Sequence, residues 1–242
     1  MKTVLITGAS KGIGSEIAKT FASAGYFVGI NYNKSELEAK SVLDEIVGNN
    51  NNGMLLKADV SDINQVNSMI ENFISKVGHI DVLINNAGIS KKGLFIDESS
   101  DETQKVLDVN LLGTIYVSQK VLKHMVSRNC GKIINISSIW GNCGASMEAT
   151  YSATKAGVIG FTKSLAKEYG YNNIMVNCIC PGVIDTQMNS HLTKEERQEL
   201  ESQMFSKRFG EPKEVADLAL FLAEKGEYIT GQIITIDGGF TL

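Results

Sequence analysis

Thr3-Val4-Leu5-Ile6-Thr7-Gly8-Ala9-Ser10-Lys11-Gly12-Ile13-Gly14 is the stretch that decides how the rest of the chain is read. Val4-Leu5-Ile6 is apolar throughout, as a strand covered on both faces should be. Glycines at 8, 12 and 14 permit a tight turn and a close backbone approach, and a helical pattern follows over about Gly14–Ala24. A strand that turns through glycines into a helix presents free N–H groups and the positive end of the helix dipole to the turn. Strand before and helix after is the context of a dinucleotide's pyrophosphate. Gly8, Ser10, Lys11, Gly12, Ile13 and Gly14 are the expected contacts.

The same rhythm runs outward along the chain. Strands are expected at about Phe27–Asn31, Gly53–Ala58, Val82–Asn85, Lys132–Ser137, Met175–Cys180 and Gln232–Ile236, after the first at Thr3–Ile6. Helical segments fall between them near Glu36–Gly48, Ile63–Val77, Glu102–Val126, Thr150–Tyr169 and Lys213–Ala223, the last opened by Pro212. The expected fold is α/β: a Rossmann-type, doubly wound, parallel seven-stranded sheet in a single domain over 1–242. The run Asn49–Asn52 reads as an exposed turn. One long stretch departs from the rhythm, about 183–210, with Thr186, Met188, His191, Leu192, Met204 and Phe209 among many charges. It reads as a substrate lid, or otherwise as a solvated helical hairpin.

Composition excludes several classes. With 43% apolar and 21% charged residues in 242, the chain is neither disordered nor low-complexity. A net charge of −4 gives no general attraction for nucleic acid or anionic membrane. Cys130, Cys143, Cys178 and Cys180 form no CxxC pair, and His79, His124 and His191 are scattered, so no metal site is expected. The cysteines read as reduced and packed as small hydrophobes, with 178 and 180 on one face of a strand. The chain runs from Met1 straight into a strand, without a signal peptide, and no apolar run approaches the ~20 residues of a membrane span. A cytoplasmic location is expected.

Further along lie Asp59-Val60 at the end of the third strand and Asn85-Asn86-Ala87-Gly88 at the end of the fourth. Asn110 follows in Asp108-Val109-Asn110, then Ser138 thirteen residues before Tyr151, and Lys155 four after it. With Pro181-Gly182 and the GxxxGxG spacing behind Thr7, these resemble the short-chain dehydrogenase/reductase family from Thr7 to Asp237-Gly238-Gly239. The resemblance implies that Asp59 and Val60 hold the adenine, although Asp59 alone could equally be a helix cap. It places Asn86, Ala87 and Gly88 against the cofactor, and Pro181, Gly182, Ile184 and Thr186 at the nicotinamide. It makes Asn110, Ser138, Tyr151 and Lys155 a catalytic tetrad.

Tyr151 and Lys155 share a helix face one turn apart. Reducing a ketone needs a hydride and a proton, and a free tyrosine, with a pKa of about 10, is a poor donor at neutral pH. A nearby ammonium lowers that by ~1–3 units. Tyr151 is thus the expected proton donor, with Lys155 lowering its pKa; the resemblance implies that Lys155 also holds the nicotinamide ribose. Ser138 donates to the substrate oxygen. The resemblance further implies that Asn110 holds a water that links the lysine to solvent.

The second strand ends in Asn31-Tyr32-Asn33-Lys34, with no acid before Glu36. A carboxylate there would favour a free ribose 2′-hydroxyl, whereas Lys11 and Lys34 attract a 2′-phosphate. The expected cofactor is NADP(H), with Asn31 among its contacts; Lys34 also reads as a plain helix-start charge.

Within the family, the length, Thr230-Gly231-Gln232 and the Asp-Gly-Gly ending resemble the 3-oxoacyl-[acyl-carrier-protein] reductases of fatty acid synthesis. A small-molecule or carrier-bound ketone, with acyl carrier protein as a partner, is then implied. Two features depart from that pattern. The stretches Ser127-Arg128-Asn129 and Tyr171-Asn172-Asn173 offer an acidic carrier a single arginine. Ser138–Glu148, with Trp140 and Glu148, resembles instead the elongation factor P 5-aminopentanone reductases, whose ketone carries a cation. Trp140 and Glu148 join Ser138 and Tyr151 as expected substrate contacts, with Glu148 otherwise a solvent-facing neighbour of the helix start. A non-catalytic NADP-sensing protein is a remote alternative, since such proteins typically lose the tyrosine or lysine kept here. Family members associate as homotetramers or homodimers through the helices near 102–126 and 150–169 and the last strand. Val117, Val121, Phe161 and Leu165 fit either that contact or their own sheet.

Overall fold

The computed structural model describes residues 1–190 and 192–242; His191, which the sequence places in the lid, lies outside them. Apolar strands and amphipathic helices alternate as the sequence pattern dictates. Among the described residues the strands are β1 (Thr3–Ile6), β2 (Phe27–Tyr32), β3 (Asn52–Lys57), β4 (Val82–Asn85), β5 (Gly131–Ile136), β6 (Ile174–Pro181) and β7 (Ile233–Ile236). They form one parallel sheet in the order β3-β2-β1-β4-β5-β6-β7. The direction of winding reverses between β1 and β4, which opens a crevice beyond their carboxyl ends.

The helices are α1 (Gly12–Ser23), α2 (Glu36–Gly48), α3 (Ile63–Val77), α4 (Ser100–Leu107), α5 (Gly113–Arg128), α6 (Trp140–Cys143), α7 (Ala149–Tyr169), α8 (Lys194–Gln203) and α9 (Pro212–Glu224). Side chains alternate across the sheet, so β1 sends Val4 and Ile6 to one face and Leu5 to the other. The first face is covered by α1, α2 and α9 through Ile17, Phe21, Val42, Val215 and Leu222. The second is covered by α3, α5 and α7 through Ile70, Phe73, Val117, Val121 and Leu165. Val117, Val121 and Leu165 are buried against their own sheet, with Phe161 partly buried beside them.

Local chemistry sets the ends. Asp62 caps α3 by accepting from the N–H groups of Asn64 (2.8 Å) and Gln65 (3.3 Å), so Asp59 is not the cap. Pro212 occupies the first position of α9. The continuous helix expected over Glu102–Val126 is instead α4 and α5 joined by a π turn, Asp108–Leu112, that carries Asn110. One residue of slack in the ladder makes such a turn, and these turns concentrate at functional sites.

The segment from 183 to 210 leaves β6 and returns beside it. Its base is closed by Asp185 N–H to Gly210 O (2.8 Å) and Gly210 N–H to Val183 O (3.0 Å). Met204 and Phe209 are buried and anchor the return leg, while α8 and residues 205–208 lie largely exposed. Cys178 and Cys180 lie buried side by side, Sγ to Sγ 4.0 Å. Cys143 departs from the expected packing: the short helix α6 leaves it exposed. Among the described residues no helix is long and apolar enough to cross a membrane.

Candidate active site

The glycine turn is held from two sides. Gly8 has φ +63°, and a Cβ there would sit 2.8 Å from Ala87 Cα; a Cβ on Gly14 would sit 2.3 Å from the Gly8 carbonyl oxygen. No larger residue allows β1, β4 and α1 to meet this closely. The Thr7 hydroxyl accepts from the N–H groups of Asn86 (3.0 Å) and Ala87 (3.1 Å), while the Asn86 amide donates to the carbonyls of Thr7 (3.1 Å) and Gly8 (2.9 Å). At the start of α1, Lys11 offers no side-chain cap and the first turn holds no acid. The uncapped N–H groups and the positive helix end therefore fit an anion such as a pyrophosphate.

The side chain of Asn31 does not face the crevice. Its oxygen accepts from Gly8 N–H (3.1 Å) and its amide donates to the carbonyls of Leu56 (3.0 Å) and Ala58 (3.1 Å). It is buried and fully used in tying the turn to β3, so the expected cofactor contact at this position is replaced by a bracing one. Past the end of β2 it is exposed Asn33 that faces outward, donating to Asp59 at 2.7 Å. Partial burial pushes the Asp59 carboxyl up, but the hydroxyl and N–H of Ser61 and the Asn33 amide outweigh it and hold the group below its usual range. Val60 beside it is buried.

One cleft beyond the carboxyl ends of β1, β4, β5 and β6 brings most of the expected residues together. Gly8, Ser10, Lys11, Gly12, Ile13 and Gly14 line one end, with Asn86, Ala87 and Gly88 next to them. Ser138, Tyr151, Lys155, Pro181, Gly182, Ile184 and Thr186 line the other. Ser90, Ile136, Ser137 and the Gln187–Ser190 turn complete the wall. These additions had no signature in the sequence, because which neighbour of a strand end faces a cleft depends on the elements packed over it.

Trp140 and Glu148 stand outside that wall. The Trp140 ring packs edge-on against Phe240, centroids 5.9 Å apart, and the Glu148 carboxylate accepts from the Ser90 hydroxyl at the rim. Asn110 is buried below the cleft. Its side chain accepts from Ile89 N–H (2.8 Å) and donates to Ile89 O (2.9 Å) and Thr154 Oγ1 (3.2 Å). Its backbone carbonyl accepts from the Thr114 hydroxyl at 2.9 Å.

The electrostatics reverse the expectation for Tyr151. Burial pushes its hydroxyl up to about 12, a hydrogen bond from Ser138 only partly offsets this, and Glu148 adds to the rise. Burial likewise brings Lys155 down to about 8. With its own pKa brought down to about 8, Lys155 is neutral where Tyr151 titrates and so does not lower it; Nζ donates to the Ile136 carbonyl (2.9 Å) and lies 5.6 Å from the tyrosine ring centroid. In the protein alone Tyr151 therefore stays protonated and bonded to Ser138, and its proton leaves only as negative charge grows on an acceptor beside it.

A family model described as enoyl-(acyl carrier protein) reductase matches residues 8–241. The 3-oxoacyl-[acyl-carrier-protein] reductase FabG of Staphylococcus aureus strain Mu50 is 41% identical over 239 residues, 98% of this chain and 97% of its own. That of Aquifex aeolicus is 43% identical over 244 residues, covering 98% and 96%. Among solved structures, a 3-oxoacyl-[acyl-carrier protein] reductase from Brucella melitensis superposes with a TM-score of 0.94 at 34% identity, covering 100% of this chain and 91% of that one. A short-chain dehydrogenase from Burkholderia cenocepacia in complex with NADP gives 0.93 at 32%, covering 100% and 98%.

Proposed function

The chain belongs to the short-chain dehydrogenase/reductase family, and from that premise we propose that it reduces the ketone of 3-oxoacyl thioesters borne on acyl carrier protein, using NADPH. The observation that carries this reading is the single cleft in which Ser138, Tyr151 and Lys155 stand beside the open glycine turn. NADPH, when bound, supplies the hydride.

In this reading the chain does the rest. The uncapped start of α1 holds the pyrophosphate, Asp59 and Val60 hold the adenine, and Lys11 and Lys34 attract the 2′-phosphate. Pro181, Gly182, Ile184 and Thr186 hold the nicotinamide end. Ser138 Oγ donates to the ketone oxygen, and Tyr151 Oη delivers its proton there as negative charge grows. Lys155 holds the ribose and restores the proton to Tyr151, with a water held by Asn110 leading outward. The segment 183–210 serves as lid to the single domain. A cytoplasmic protein that associates into dimers or tetramers fits β7, an edge strand paired only with β6 among the described residues.

A second reading, an amino-ketone carried on a protein side chain, is favoured by the rim. Glu148 places a carboxylate beside cleft-lining Ser90, which suits a cationic substrate. Arg128, the arginine available to an acidic carrier, is taken by Asp81 at 3.1 Å. NADPH oxidation by the pure protein with an acetoacetyl thioester, a crotonyl thioester and a small amino-ketone, side by side, separates the readings. Turnover of the acetoacetyl thioester at least about tenfold above the other two is expected, a preference of ~1.4 kcal/mol. Preference for the amino-ketone would replace the first reading with the second, and preference for the crotonyl thioester would overturn both.

A further inference from the structure

Three consecutive residues at the end of β5 meet three groups on α7. The Ile136 carbonyl accepts from Lys155 Nζ at 2.9 Å, the Ser137 hydroxyl donates to the Lys155 carbonyl at 2.8 Å, and the Ser138 hydroxyl bonds that of Tyr151. The middle contact has no part in the chemistry above. Ser137 is buried, and its N–H donates to Ile179 O at 2.8 Å, so its backbone is fixed to the sheet. The Lys155 carbonyl already serves the helix ladder, and Ser137 adds a second donor from outside the helix. Gly141 closes over this bond: a Cβ there would lie 2.9 Å from Ser137 Oγ and 2.8 Å from the Lys155 carbonyl carbon. Water is kept from this bond; beside the Lys155 carbonyl, the Ser137 hydroxyl also meets the Cys180 thiol of β6.

We propose that Ser137 is a positioning residue that fixes the height and rotation of α7 against β5. It thereby sets the distance from Ser138, on the strand side, to Tyr151 and Lys155 on the helix. The proposal rests on reading those three as catalytic. Two turns beyond Lys155, Thr162 Oγ1 accepts from Asn135 of β5 at 2.9 Å, and Thr154 Oγ1 accepts from Asn110 at 3.2 Å. The remaining contacts of α7 with the sheet are apolar, through Val158, Ile159 and Leu165, and such ridge packing allows small slides. A directional bond at Lys155 does not. A slide of a few tenths of an ångström would carry Tyr151 and Lys155 together past Ser138, which lowers the rate of proton delivery. The glycine turn and the wall of Pro181, Gly182, Ile184 and Thr186, which make most of the binding surface, stay in place.

The test uses the full-length enzyme with NADPH and an acetoacetyl thioester. Ser137→Ala is expected to lower kcat about tenfold per NADPH-binding site, while the NADPH Kd and thioester KM stay within about threefold. Ser137→Thr keeps the hydroxyl and is expected to recover at least half of kcat. A role in stability alone would lower the melting temperature and the number of binding sites but leave kcat per site unchanged. A kcat within twofold of wild type in Ser137→Ala, or a Ser137→Thr as slow as the alanine variant, overturns the proposal. If Ser137→Ala yields no folded protein, Ser137→Gly takes its place with the same expected values. Tyr151→Phe runs alongside: full turnover there removes the catalytic reading itself, whereas an inactive Tyr151→Phe beside a fully active Ser137→Ala removes only the positioning role.

Discussion

Lys155 occupies a position that catalysis needs and folding resists. It is buried, with its ammonium satisfied by the Ile136 carbonyl, and burial depresses its pKa from 10.5 to about 8. A group whose charged form is disfavoured in the fold costs stability wherever it is charged. The unfolded chain binds more protons than the folded one between about pH 8 and 10.5, so this cost is full below 8 and fades as pH rises to 10.5. The shift corresponds to roughly 3 kcal/mol, from which the lost Nζ bond removes about 1–2 kcal/mol. Lys155→Met is therefore expected to raise the melting temperature at pH 7 by roughly 3–6 °C, with the advantage shrinking towards pH 10.5. Calorimetry across that pH range checks it; a lower melting temperature at pH 7 would show that the ammonium stabilises the fold.

At the scale of elements, the segment after β6 is clamped as well as packed. Arg197 on α8 meets Asp185 through two bonds, 3.2 and 2.9 Å, and its guanidinium lies 4.4 Å over the Phe209 ring. Asp185 sits between Ile184 and Thr186, both in the wall of the cleft, so α8 and that wall are mechanically joined. Both partners are substantially exposed, and such pairs contribute little to global stability, about 0–1 kcal/mol. Arg197→Ala is expected to speed amide exchange over 186–190 and 192–205 at least about threefold while shifting the melting temperature by less than about 2 °C. Unchanged exchange there would mean that Met204 and Phe209 alone hold the segment.

At the scale of the whole molecule, the architecture was legible because two periodicities carry it. Val4-Leu5-Ile6 and Val82-Leu83-Ile84 could only be doubly covered strands, and the glycines at 8, 12 and 14 marked the turn that starts the crevice. The residues sharing that crevice were legible from spacing, since strand ends and one face of α7 must meet there. Three features were not. The π turn at Asp108–Leu112 leaves the apolar pattern of one helix intact, so nothing in the sequence separates α4 from α5. Asn31 looked like a cofactor contact because strand position fixes a side chain's face but not its partner, here the N–H of Gly8. The sign of the Tyr151 shift depends on depth of burial, which spacing does not encode.

All of these strands lead to Tyr151 as the group that delivers the proton. The most direct measurement compares wild type with Tyr151→Phe in NADPH binding and in reduction of an acetoacetyl thioester. Loss of one hydroxyl at the cleft wall is expected to leave the NADPH Kd within about threefold and to lower turnover by about 10²–10⁴-fold. Turnover near that of wild type in the phenylalanine variant, with NADPH bound normally, would contradict it.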